Sequence, residues 1–95
     1  MSEIIRTISG RDYAHLVRAH DGQYYYVDTT RLEDGHRFGE DWYETAVFPY
    51  DIANCEVVSW QELYVYRFKG KRNLAQIHNN ICYHLEEFLK KGDRV

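Results

Sequence analysis

The sequence predicts an α+β domain in which an antiparallel sheet of four or five strands carries one long C-terminal helix packed on one face. Three observations predict it. Alternating runs rich in Tyr, Val and Thr recur between residues 12 and 68, an Asp21-Gly22 dipeptide sits between two of them, and one apolar stripe of helical period covers the region 72–91. Residues 1–95 are expected to form a single domain. A chain of 95 residues and 11.4 kDa buries about 65% of its surface in one core and leaves no room for a second.

The first two strands are expected at about 12–20 and 23–30, joined at Asp21-Gly22 by a two-residue type I′ turn. In the second, Tyr25, Val27 and Thr29 form the core face while Tyr24, Tyr26 and Asp28 point the other way. The text RLEDGHRFGED, residues 31–41, reads as a loop of mixed charge. A strand at 42–49 follows, with Glu44, Ala46 and Phe48 opposing Tyr43, Thr45 and Val47, and Pro49 is expected to end it. After a turn at 51–54 come a short strand at 55–59 and a stronger one at 61–68. Both faces of the latter are apolar, so it belongs in the interior of the sheet. The helix is expected at 72–91, capped by Asn73 or started at Gly70 and stopped by Gly92, with Leu74, Ile77, Ile81, Leu85 and Phe88 as its buried stripe. Trp60, Leu63 and Val65 are likewise expected to be structural, with Leu63 and Val65 on one face of their strand and Tyr64, Tyr66 and Phe68 on the other, whereas Tyr83 points away from the helix stripe and should be exposed.

Composition narrows the function classes. Hydrophobic residues make up 44% and charged residues 28%, with one proline, which excludes a disordered or collagen-like chain. Aromatic residues are 16%, and nine of them are Tyr, more ring area than one helix covers. The second sheet face must therefore be closed by its own rings, by another copy in a homodimer, or by a partner. No apolar run suits a signal peptide or a membrane span, and Cys55 and Cys82 make neither a disulfide framework nor a zinc-finger spacing, so a cytoplasmic protein is expected. Net charge is −3, with seven acids against Arg31 and Arg37 in residues 28–51, a segment that repels nucleic acid and suits a basic partner.

Phosphate loops, nucleophile elbows, HExxH and EF-hand spacings are all missing, so no catalytic residue, metal or cofactor is expected and the chain reads as a non-enzyme. His78 and Cys82 are four apart on a helix, which puts two ligand atoms on one face, but no further ligand is set locally and their expected place is the edge of the core. The remaining histidines, His15, His20, His36 and His84, are expected to be scattered and exposed. A second reading is a small single-stranded nucleic-acid-binding module, with Tyr24, Tyr25, Tyr26, Tyr64, Tyr66 and Phe68 as stacking rings beside Arg67, Lys69, Lys71 and Arg72. Nucleic acid is the weaker choice, because such binders surround their rings with Lys and Arg and only these four cluster here.

YETAVFPYD at 43–51, VVSWQELYVYRF at 57–68 and a helix with Leu74, His78 and Ile81 resemble a group of small phage and prophage proteins with a YETMVF-like strand, a W-x-E-L-Y strand and a short helix. The matching positions are Tyr43, Glu44, Thr45, Val47, Phe48, Trp60, Glu62, Leu63, Tyr64, Arg67 and His78, within residues 42–82. Ala46 replaces Met, and Gly70-Lys71-Arg72-Asn73 replaces an acidic, Ser- or Thr-capped helix start. The resemblance implies origin in a mobile element and expression in a bacterial cytoplasm, and brings no mechanism. The expected function is that of a phage or prophage accessory protein that binds a host or phage protein with a basic surface, for instance as an inhibitor of a defence system such as a CRISPR nuclease. Glu33, Asp34, Glu40, Asp41 and Trp42 are the expected contact residues, with Tyr83 as an outlying one.

Overall fold

A computed structural model describes residues 1–10, 13–32 and 42–91. The expected α+β class is found. Six strands, β1 (Glu3–Thr7), β2 (Ala14–Arg18), β3 (Tyr24–Arg31), β4 (Trp42–Asp51), β5 (Glu56–Val57) and β6 (Tyr64–Lys69), form one sheet, and every pairing is antiparallel. The order runs β1-β2-β3-β4, and the far edge of β4 is shared: Trp42–Val47 pairs with β6 and Tyr50–Asp51 with β5.

Alternation along these strands separates two faces. Toward the helices point Val17, Val27, Val47 and Tyr64, which bury themselves against Ile81, Cys82 and Leu85, while Tyr43 and Phe68 pack on Leu74. Burial of each such aliphatic side chain is worth about 1.5–3 kcal/mol. The opposite face holds a smaller cluster of Ala46, Phe48 and Val65, flanked by Tyr26 and Val57. The last strand has the two apolar faces expected of it, but it does not lie in the interior of the sheet: among the described residues β6 pairs with β4 alone and forms an edge.

Several expectations are corrected. A sixth strand, β1, lies outside all those expected from sequence. A bulge between Ile4 and Arg6 inserts one residue against β2, so the two-residue period that marks a strand is broken there. The hairpin at Asp21-Gly22 is not a two-residue type I′ turn. Ala19 N–H donates to Gln23 O, Gly22 N–H donates to Ala19 O, and only Gly22 has positive φ, which makes a three-residue loop with the glycine in the left-handed position. Pro49 does not end β4, because its nitrogen sits where the partner changes. Leu63 N–H donates to Val47 O, Val58 N–H donates to Pro49 O, and no donor is required between them. Trp60 is not core, being 68% exposed.

Nor is there one long C-terminal helix. A 3-10 turn at Lys71–Asn73 leads into α1 (Leu74–Tyr83), and α2 (Leu85–Lys91) follows after a break at His84, whose φ of −128° and ψ of 36° are not helical. The Asn73 side chain makes no capping bond, and Gly70, at φ 106°, lets the chain leave β6. The break has a cause in Ser2. Its hydroxyl donates to Cys82 O at 2.6 Å and accepts from Leu85 N–H at 3.0 Å, while its own N–H donates to Tyr83 O. A side chain inserted into the helical ladder in this way separates two helices. The apolar stripe survives the break, since Ile81 and Leu85 are both buried.

Ser2→Ala removes that bridge and leaves a buried N–H and C=O without a partner, so it is expected to cost about 1–3 kcal/mol in urea unfolding. An unchanged unfolding midpoint would show that the bridge contributes nothing.

Candidate functional site

Two places concentrate side chains that packing alone does not require. The first is a polar seam between α1 and the sheet. His78 is fully buried, four residues before Cys82 on the inner side of α1, which is also fully buried. Facing them are His15 of β2, half-buried, and the cross-strand pair Thr29 and Thr45 of β3 and β4. His78 Nδ1 lies 2.7 Å from Thr29 Oγ1, which lies 2.6 Å from Thr45 Oγ1. His78 Nε2 lies 2.7 Å from His15 Nδ1 and 3.5 Å from Cys82 Sγ. Tyr13 closes one side with its ring edge-on to His78 at 5.5 Å.

The direction of this chain follows from counting donors. Thr29 is the one hydrogen-bond partner of the Thr45 hydroxyl among the described residues, so its proton is satisfied only by donating to Thr29. Thr29 must then donate to His78 Nδ1, and His78 carries its proton on Nε2 and donates to His15 Nδ1. Burial, helped by the neighbouring His15, lowers the pKa of His78 to about 4, so the ring is neutral at physiological pH. Burial also lowers that of His15 and pushes the Cys82 thiol up to about 12, which removes Cys82 as a ready nucleophile. His15, His78 and Cys82 together offer three ligand atoms within 4.8 Å of one another. Among the described residues, they are the group that could hold a metal ion.

The second place is the sheet face away from the helices. The indole of Trp60 packs edge-on against Phe48 at 5.0 Å and against Tyr26 at 6.1 Å, with Tyr26 and Phe48 6.1 Å apart. Beside this platform Val58 is 63% exposed. Residues 42–66, which supply most of it, contain four acids and no Lys or Arg. One group of cations lies at the other end of β4, where Lys69 pairs with Trp42 and Lys71 joins Arg31 around a hollow lined by Tyr13, Thr29, Tyr43 and Leu74, while Arg18, ion-paired with Glu3, lies opposite Tyr24 on β2. Trp42 and Phe48 are six positions apart on β4, about 20 Å along the strand.

Of the contact residues expected from sequence, Glu33, Asp34, Glu40 and Asp41 lie outside the described residues. Trp42 is half-buried, starting β4 with the parity of the face away from the helices, and Tyr83 is 40% exposed on the outer side of α1. The sheet lies between these two, so they share no surface. His78 and Cys82 are deeper than the edge of the core, and His15 is neither scattered nor exposed. The link between His15 and His78 spans 63 residues and carries no local spacing. One signal was available: alternation places His15 on the same face as Val17, a core position.

Because His78 is neutral when folded, the unfolded chain binds the extra proton between pH 6.5 and about 4, and stability must fall as pH falls through that window. The expected loss approaches about 3 kcal/mol. Urea unfolding between pH 7 and 4.5, with chelator present, should show this slope in the wild type and a flatter one in His78→Gln. Equal slopes would mean that His78 is not held neutral.

No protein-family model matches the chain, and no curated protein and no solved structure is significantly similar to it, so its function has to be sought in the side chains themselves.

Proposed function

We propose that this chain is a small phage- or prophage-encoded accessory protein that does no chemistry and acts by binding another protein, one with a basic surface, such as the nucleic-acid groove of a host defence nuclease of the CRISPR type. The observation that carries the reading is Trp60, an indole 68% exposed yet braced by Phe48 and Tyr26. A rigid ring held outward gives contact area at small entropic cost, and Trp is the residue most often found at the energetic centre of protein interfaces.

Charge selects the class of partner. The chain segment that carries the ring, residues 42–66, has acids and no bases, which a cationic groove complements. Nucleic acid is disfavoured by the same placement. Stacking binders surround their rings with cations, and here the Trp60 platform and the Arg31, Lys69 and Lys71 group lie at opposite ends of β4. The phage or prophage assignment rests on the resemblance across residues 42–82, within which Trp60 and Phe48 both fall. No helix among the described residues is long and apolar enough to cross a membrane.

Trp60→Ala tests the reading, since an exposed residue can be removed with a stability change of about 1 kcal/mol or less. Tagged wild-type protein should capture a protein from bacterial lysate that elutes as salt rises, and Trp60→Ala should bind it at least about tenfold more weakly. Equal capture by the two, or recovery of nucleic acid in place of protein, would overturn it.

A further inference from the structure

We infer that His15, His78 and Cys82 form a binding site for one zinc-class divalent ion that clasps helix α1 to strand β2. Three observations carry the inference, and each is independent of what binds at Trp60.

The first is convergence. His78 and Cys82 stand one helical turn apart and present Nε2 and Sγ toward each other at 3.5 Å, while β2 brings His15 Nδ1 to 2.7 Å from the same Nε2. Bonds of about 2.0–2.1 Å to nitrogen and 2.3 Å to sulfur in a tetrahedral zinc site place a nitrogen about 3.5 Å from the sulfur and about 3.3 Å from a second nitrogen. The nitrogen–sulfur spacing already fits. To complete the geometry the two imidazoles part by about half an ångström and His15 Nδ1 comes to about 3.5 Å from Cys82 Sγ, from which it lies within 4.8 Å.

The second is ligand type. Two imidazoles and a thiolate suit zinc and not magnesium or calcium, which take oxygen. The three residues leave one of four positions for a water molecule, and His15, the half-buried member, gives solvent a way in.

The third is the support behind His78. A histidine ligand needs its remote nitrogen held, and Thr29 holds Nδ1 at 2.7 Å. A hydroxyl is well suited to this position because it both donates and accepts. In the metal-free protein Thr29 donates to Nδ1, and when the ion takes Nε2 the proton is carried on Nδ1 and Thr29 accepts it, turning its own proton to Thr45 Oγ1 and freeing the Thr45 proton for another acceptor. The proton count closes. His78 exchanges an Nε2 proton for an Nδ1 proton and stays neutral, His15 keeps its Nε2 proton, and the Cys82 thiol proton is released to solvent, one proton for each ion bound.

Cobalt is the probe, because a thiolate bound to Co²⁺ gives a charge-transfer band that histidines alone do not. The full-length Cys55→Ser protein, which lacks the exposed thiol, is titrated with Co²⁺ after chelator treatment and buffer exchange. A thiolate-to-cobalt band saturating at one equivalent, displaced by Zn²⁺, together with a raised melting temperature in Zn²⁺, is the expected result. Adding Cys82→Ala should abolish the band and weaken Zn²⁺ binding at least about tenfold. No thiolate band in the Cys55→Ser protein, which needs no change at the site, would overturn the proposal, as would a band that survives Cys82→Ala.

Discussion

Burying an imidazole removes water from two ring nitrogens at once, and both must then be bonded by protein. His78 sits under that constraint with none of its surface exposed, and the register of the helix over the sheet follows from it. Nδ1 reaches Thr29, which is paired across the sheet with Thr45, and Nε2 reaches His15 on the next strand. Sliding α1 by a residue would leave the ring without partners on either side. Ordinary aliphatic packing of Ile81 and Leu85 supplies most of the stabilisation, but hydrophobic contacts are non-directional and tolerate small shifts. The polar seam is what selects one position.

Ser2 adds a second directional constraint at the end of α1. By donating to Cys82 O and accepting from Leu85 N–H it redirects the helix just past Cys82, and the stripe continues into α2 with Leu85 buried and Phe88 against Tyr64. One face of the sheet is thereby closed by two short helices. The other is left to rings, with Trp60 resting on Phe48 and Tyr26, and it is on this face that the proposed partner binding rests. The helix side holds the seam, and the open side holds the platform.

The sheet was legible where period and parity survive. Tyr25, Val27 and Thr29 face the helices as alternation requires, and Ala46 and Phe48 face away. It was not legible where a backbone irregularity or a distant side chain intervenes. The bulge between Ile4 and Arg6 erases the alternation of β1, and Pro49 looks like a strand end until the change of partner on the edge of β4 is known. Nothing in residues 72–91 announces the break at His84, because its cause is Ser2, 80 residues away from its partner Cys82. The candidate sites follow the same rule. Helical spacing joins His78 to Cys82, yet only tertiary structure brings His15 to them, and Trp60 reads as core because a tryptophan between apolar strands usually is.

The central claim is that His78 is a neutral ring locked between Thr29 and His15. Long-range proton–nitrogen correlation spectra of the histidine side chains, recorded on chelator-treated protein from pH 7.5 down to 4.5, read tautomer and protonation directly. The account predicts that His78 carries its proton on Nε2 and stays neutral across that range, consistent with a pKa near 4. Protonation of His78 near pH 6.5, the ordinary histidine value, would contradict it.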